Sequence, residues 1–490
     1  MFIKSCAGHT GPPDSEKLMI EWVETFRGWI EICGGPVGKF SDWISMLLIF
    51  ILLGTGFFVS FSLKWIQLCK LKHSFQVITG KYDNPADEGD VTHFQALSTA
   101  LSATIGIGNI AGVALALRLG GPGALFWMWL TAVLGMFLKY AECTLSHYFR
   151  VIHKDGSVSG GPMYYIEKGL GKRWKPLAVF FATCAAICSF CTGNMNQANT
   201  VAQTFGTYGI PTWLAGCIIA LLVGLVIIGG IHRIAAVASR LVPAMAVLYC
   251  GGAVIVVILN AHNIIPCFVS IFKGAFSLQA GWGGLITVIM WGVRRGIYSN
   301  EAGQGSAPIA HAAAKTKESV REGAVALMEP FIDTIIICSM TGLAILTTGV
   351  LESTDLDGAE LTRSAFEVGF SFAPQIGSLV VTVSVFLFAY STMVAWSYYG
   401  DRSVEYLIGP QAIMPYRWVY VFFNFLGAVL PLALVWHIGD IALSFMAIPN
   451  LIAVVLLTGI LKKLTKEYYS RKHITYQQYL LAQQNSSQNS

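Results

Sequence analysis

Residues 94–118 form a run apolar enough to cross a bilayer, yet it is interrupted by Ala103-Thr104-Ile105-Gly106-Ile107-Gly108-Asn109. Non-helical backbone at membrane depth must line a cavity or lie inside protein, because each unpaired N–H or C=O costs several kcal/mol in hydrocarbon. A break of this kind marks a site. A second glycine-punctuated stretch, Trp291-Gly292-Val293-Arg294-Arg295-Gly296, stands at a corresponding place in a later apolar run. Two broken spans so placed point to a secondary transporter that holds its substrate near the bilayer midplane. The alternative for the first break is close helix packing, with Gly108 and Gly112 as a small-xxx-small face.

Composition sets the class. With 54% hydrophobic and 12% charged residues over 490 positions, the chain is too apolar for a soluble globule and is expected to be an all-α integral membrane protein. The net charge of +5 sits in short loops between apolar runs rather than on one face, which argues for a membrane and against nucleic acid. With charges throughout residues 1–40 and no uninterrupted apolar core there, no cleavable signal peptide is expected, and the first span is expected to act as its own insertion signal. The 11 cysteines lack paired metal or disulfide spacing, and Cys188-Ser-Phe-Cys191 lacks the βαβ setting of a redox motif. They are expected to be buried filler.

Hydropathy gives about eleven spans of crossing length, near 43–63, 94–118, 123–148, 176–198, 212–229, 241–260, 281–310, 326–349, 374–399, 417–434 and 440–461. If 43–63 is an extra helix, the rest divides into five-helix halves, 94–260 and 281–461, each opening on a broken helix as an inverted repeat would. Residues 1–42 then form an extracytoplasmic segment, with 15–33 carrying aromatic residues at helical spacing for a helix that lies in the interface or packs against the bundle. Residues 462–490 form a tail that turns Gln/Ser/Asn-rich. Basic residues cluster in alternate loops: Lys64 to Lys81, Arg150 to Lys175, Arg233 and Arg240, Lys315 to Arg321, Arg402 and Arg417, then Lys462 to Lys472. That alternation predicts a cytoplasmic C-terminus and an external N-terminus in a cell inner or plasma membrane.

Ionisable residues inside spans are few, and each is a functional candidate. Lys139 and Glu142, three apart, are expected to pair on one helix face. Glu329 and Asp333 would face a cytoplasmic vestibule or answer Arg294 and Arg295 beside the second break. The chain has no nucleophile elbow, no paired zinc-ligand helix motif and no phosphate loop, and its ten histidines, His311 and His437 among them, stand isolated. No enzyme is expected. The breaks offer Thr104, Gly106, Gly108 and Asn109, then Trp291, Gly292 and Gly296, as candidate substrate contacts.

Longer blocks carry a resemblance. Gly120-Gly121-Pro122-Gly123-Ala124-Leu125-Phe126-Trp127-Met128-Trp129-Leu130-Thr131-Ala132-Val133-Leu134-Gly135 resembles the signature of the alanine or glycine:cation symporter family, within the amino acid-polyamine-organocation superfamily. Ser159 to Glu167, Gly193-Asn194-Met195-Asn196-Gln197-Ala198-Asn199, Ser299-Asn300-Glu301-Ala302-Gly303 and Trp396-Ser397-Tyr398-Tyr399-Gly400 resemble further blocks in the same order. Ile107 departs from the pattern, since a threonine is common there in the family. The resemblance implies a leucine-transporter-like fold, a 5+5 inverted repeat plus one extra N-terminal transmembrane helix, and sodium-coupled import of alanine or glycine. It adds Asn194, Gln197, Asn300 and Trp396 to the substrate set, and gives Ser102, Ile105, Ser391 and Thr392 as sodium ligands. Na+ is then a coupling ion; no cofactor and no obligate protein partner are expected. The alternatives left open are proton coupling, or another small neutral amino acid such as serine or glutamine.

Overall fold

A computed structural model describes residues 14–478 apart from 85, 155, 278–280, 431, 432 and 474, with the side chains of 14–34, 66–69, 433 and 434 outside that description. Helices account for almost all of it; the one sheet among the described residues is the small antiparallel hairpin Val151–Ile152 with Val158–Ser159. Seven described helices are long and apolar enough to cross a membrane, or eight if the bent pair His93–Thr104 and Gly108–Gly120 is one span. Large apolar side chains such as Phe50, Leu221, Val247 and Ile265 point outward, while Lys139, Glu142, Glu322, Glu329 and Asp333 are buried. This distribution suits a lipid-solvated surface around a polar interior.

Asp14–Ser62 is one helix with Pro36 inside it, so the backbone runs unbroken from the proposed interfacial segment into the first span. The side chains on which the amphipathic pattern of 15–33 rests lie outside the described residues. Asp14–Ser62 packs against Ala433–Leu456 and Ala124–Tyr148.

The first broken span is where the sequence puts it. Thr92 opens His93–Thr104 with a capping box: Gln95 N–H donates to Thr92 Oγ1 at 3.2 Å and Thr92 N–H to Gln95 Oε1 at 3.0 Å. The helix ends at Ile105, whose ψ of 89° leaves helical geometry, and the chain resumes at Gly108–Gly112 with a bend of 54°. The freed backbone groups find side-chain partners: Gly106 N–H donates to Asn109 Oδ1 at 2.9 Å and Ile107 N–H to Gln197 Oε1 at 3.4 Å. This is the internal satisfaction that membrane depth requires.

The second break is elsewhere. Gly281–Asn300 is continuous through Trp291–Gly296, because Gly292 and Gly296 serve helix packing: a Cβ on Gly292 would stand 2.4 Å from Ala124 O, and one on Gly296 3.1 Å from Thr131 Cβ. The pair is a small-xxx-small face that lets this helix close on Ala124–Tyr148. The chain leaves the helix only after Asn300, where Glu301, Gly303 and Gly305 take φ of 52°, 81° and 81° before the short helix Ala307–His311. Left-handed backbone suits the two glycines and strains the glutamate.

Candidate functional site

The two breaks face one another across a small pocket lined by Thr104, Gly106, Gly108, Gln197, Thr392 and Trp396 among others. Its volume is about 10 Å³, room for roughly one water. Glu301 is buried and lines the same pocket. Trp396 Nε1 donates to its Oε1 at 3.1 Å and Ser306 Oγ to its Oε2 at 2.5 Å, so the carboxylate is fixed between the break and the long helix Pro374–Ile408.

Beside the pocket, Pro374–Ile408 meets the end of His93–Thr104. Ser391 Oγ donates to Phe388 O at 2.9 Å and lies 3.2 Å from Ser102 O and 3.5 Å from Ile105 O. Thr392 Oγ1 lies 3.4 Å from Ile105 O, and Ser102 Oγ donates back to Ser391 O at 2.8 Å. Two hydroxyls and several carbonyl oxygens thus converge at an unwound helix end. Oxygen donors of that kind, without a formal charge, are how broken helices in carriers hold sodium.

Of the residues anticipated as substrate contacts, the structure brings Thr104, Gly106, Gly108, Gln197 and Trp396 to the pocket. The others do different work. Asn109 turns inward to brace the break, accepting from Gly106 N–H and donating to Ser299 Oγ at 3.0 Å and Asp333 Oδ1 at 2.6 Å. Asn194 Nδ2 donates to Tyr420 O at 2.8 Å, and its Oδ1 accepts from Asn424, tying Cys191–Met195 to Ile413–Val429. Asn300 Nδ2 donates to Thr334 Oγ1 at 3.3 Å and its Oδ1 accepts from Ala302 N–H, which shapes the second break from outside the pocket. Trp291 faces a separate outer cavity, and Gly292 and Gly296 pack on Ala124–Tyr148. Ile107 joins an apolar cluster with Ala198, Val201 and Ile219.

Sequence reasoning missed Glu301, Tyr298 and Gln304, all of which line the pocket. The signal for Glu301 was available: it is an ionisable residue within an apolar run. Tyr298 and Gln304 carried no such mark.

Beyond the pocket lies a chain of buried charges. Lys139 Nζ pairs with Glu329 Oε2 at 3.0 Å; His311 Nε2 meets Glu329 Oε1 at 2.7 Å and His311 Nδ1 meets Glu322 Oε2 at 2.6 Å. His93 Nδ1 meets Glu322 Oε1, and His93 Nε2 lies 3.5 Å from Asp83. The network ties His93–Thr104 to Ala307–His311, Ser319–Ala326 and Ala124–Tyr148, clamping this end of both broken spans. It corrects three expectations. Lys139 does not pair with Glu142, because Glu329 reaches the ammonium from a facing segment while Asn450 donates to Glu142 Oε1 at 2.9 Å. His311 is isolated only in sequence. Neither Glu329 nor Asp333 answers the arginine pair: Arg294 bridges Asp42 and Asp440 instead, and Asp333 accepts from Asn109, Ser299 and Thr334. Cys143, His311 and Glu329 have ligand atoms within 4.8 Å of one another, but with an ammonium on Glu329 and both His311 nitrogens engaged the group is an ion-pair network.

The chain is 45% identical over 428 residues to the sodium/alanine symporter AgcS of Methanococcus maripaludis, covering 86% of this chain and 94% of that one. It is 35% identical over 443 residues to the probable sodium/glutamine symporter GlnT of Bacillus subtilis, covering 89% and 91%. The crystal structure of MhsT in complex with L-phenylalanine shares its fold with a TM-score of 0.56 at 13% identity, over 76% of this chain and 89% of that one, a leucine-transporter-like architecture. Residues 35–481 match the sodium:alanine symporter family, and the chain belongs to that family of membrane carriers, which are not enzymes.

Proposed function

We propose that this protein imports alanine and glycine by symport with sodium across a cell inner membrane. The convergence of Ser391 Oγ and Thr392 Oγ1 on the carbonyls of Ser102 and Ile105 carries the reading, because it sets neutral oxygen donors beside the pocket at the first break. The zwitterion's carboxylate would take backbone N–H groups at the start of Gly108–Gly112, and its ammonium the carbonyl end of His93–Thr104 with Glu301 nearby. Lipid surrounds the bundle, and no resident cofactor enters the cycle.

The topology follows the same reading. The eight membrane-length spans, with Thr212–Ile227, Gly281–Asn300 and Ile413–Val429 added, make eleven. One helix precedes two halves of five, 94–260 and 281–461, with the N-terminus outside and the C-terminus in the cytoplasm. The His93–Glu322–His311 clamp then closes the cytoplasmic side.

Purified protein in liposomes tests the substrate and the coupling ion together. Alanine and glycine accumulate under an inward sodium gradient and continue to do so when the proton gradient is collapsed. Undiminished alanine accumulation in potassium-only buffer sinks the sodium assignment. Glu301, a carboxylate inside the pocket, favours proton coupling as the second reading, which an inward proton gradient imposed without sodium tests directly. Serine and glutamine in the same assay decide the substrate range, since one relative is a probable sodium/glutamine symporter.

Trp396 sets the expected size limit. Its indole is buried, lines the pocket and is held by Glu301. Trp396→Ala admits larger side chains, at about 1–3 kcal/mol per methylene of discrimination lost. If the variant keeps alanine affinity and still rejects serine, valine and leucine, the indole only packs.

A further inference from the structure

Tyr298 separates two spaces. On one side lies the pocket between the breaks; on the other, a cavity of about 340 Å³ walled by Asp42, Trp291, Arg294, Arg295, Tyr298 and Asp440. The two arginines differ in their commitments. Arg294 is engaged, bridging Asp42 at 2.9 Å and Asp440 at 3.2 Å. Arg295 has no ion pair among the described residues, and its Nε is buried without a hydrogen-bond partner. Its guanidinium carbon stands 5.4 Å from the ring centroid of Trp291 and 5.9 Å from that of Tyr298. Aromatic rings hold the guanidinium by its charge and leave its N–H edge uncommitted. The Tyr298 hydroxyl, from the next turn of the same helix, is also buried without a partner.

Buried donors are normally satisfied, so two unsatisfied ones beside one cavity call for an acceptor. The fork of a guanidinium matches a carboxylate in two parallel hydrogen bonds. Asp440 stands on the same wall as the acidic group nearest in kind to what an ammonium needs. We propose that the outer cavity is a second ligand site, which takes the carboxylate of a zwitterionic amino acid on the free edge of Arg295 with Asp440 toward its ammonium. The proposal rests on the amino-acid reading above, since a zwitterion uses both charges. Tyr298 and Gly108 border both spaces, so a molecule held here is one aromatic side chain away from the inner pocket.

The test separates the two sites with Gly106→Leu, which fills the inner pocket. Calorimetric titration of L-alanine into the full-length Gly106→Leu protein at saturating sodium shows one remaining binding event. Adding Arg295→Gln weakens that event at least ten-fold, and Arg295→Lys, which keeps the charge but loses the fork, weakens it less. Alaninamide, which lacks the carboxylate, does not bind, and acetate binds more weakly than alanine. No residual alanine binding, equal affinity after Arg295→Gln, or acetate binding as tightly as alanine overturns the proposal, the last by making the cavity a simple anion site. If the double variant fails to fold, Arg295→Gln alone serves: the external alanine concentration for half-maximal uptake rises several-fold with the maximal rate retained, and an unchanged value overturns the site. A wild-type protein that transports no amino acid sinks the proposed function. One that accumulates alanine but binds a single molecule sinks only the outer site.

Discussion

Gly106→Leu abolishes alanine uptake while the protein still inserts and elutes as a single folded species in detergent. A Cβ at Gly106 would stand 2.7 Å from Thr392 Oγ1 and 3.4 Å from Gln197 Oε1, so even the first added carbon displaces a group from the proposed sodium site. The rest of a leucine side chain then competes for a pocket of about 10 Å³. Nothing nearby can yield cheaply, because Thr392 sits in the buried stretch Ser391–Ser403 of its helix and Gln197 holds Ile107 N–H. Gly108 differs. Its added Cβ would meet Tyr298 Cδ1 at 3.1 Å, a ring that borders open cavity on its outer side. Gly108→Ala should therefore weaken uptake far less than Gly106→Ala, and Gly108→Leu should abolish binding by driving Tyr298 from its place. Uptake by proteoliposomes and binding of alanine by calorimetry check the order. Wild-type alanine uptake by Gly106→Leu would reduce the break to a packing feature.

The first break was legible because two demands coincide there: a span of crossing length and glycines that no apolar helix needs at its centre. The second was misplaced by the same logic. Gly292 and Gly296, four apart, look like a break in sequence but are a packing face, whereas Gly303 and Gly305, two apart and preceded by Glu301, supply the left-handed backbone. The spacing carries the distinction, since residues four apart share a helix face and residues two apart do not. The hydroxyl pair Ser391 and Thr392 came from resemblance, and the structure sets Ser391 against Ser102 and Ile105 and Thr392 against Ile105, 286 to 289 positions away.

The buried charges were legible as candidates and illegible as pairs. Lys139 has Glu142 one turn away, yet binds Glu329, 190 positions on. Local spacing offers a partner; the tertiary contact decides, because a buried ammonium needs an aimed carboxylate and Glu329 reaches Lys139 Nζ at 3.0 Å from a facing segment. Histidines 93 and 311 gave no sequence signal at all, since their partner Glu322 is reached only when Ser319–Ala326 packs between the half-helices. Asn109, Asn194 and Asn300 were anticipated at the substrate and are found bracing backbone, the commoner duty of an amide that can donate and accept at once.

Thr392→Ala weakens sodium binding, and through it alanine binding, chiefly when sodium is limiting. Thr392 is placed to join the two ligands: its hydroxyl lies 3.4 Å from Ile105 O, lines the pocket, and would be the first atom met by a Cβ on Gly106. Coupling between two sites is reciprocal, and a typical value of about 1–3 kcal/mol changes alanine affinity roughly 5- to 150-fold between low and saturating sodium in the wild type. Removing one oxygen ligand leaves Ser391 and the carbonyls of Ser102 and Ile105 in place, so the site is weakened and not erased. The same rise in alanine affinity should then need a higher sodium concentration, with affinity largely restored at saturation. Calorimetric titration of alanine across a sodium series measures both curves. A uniform loss at every sodium concentration would instead put Thr392 against the substrate, and an unchanged curve would leave the hydroxyl as a hydrogen bond between helices, with the sodium ion to be sought elsewhere.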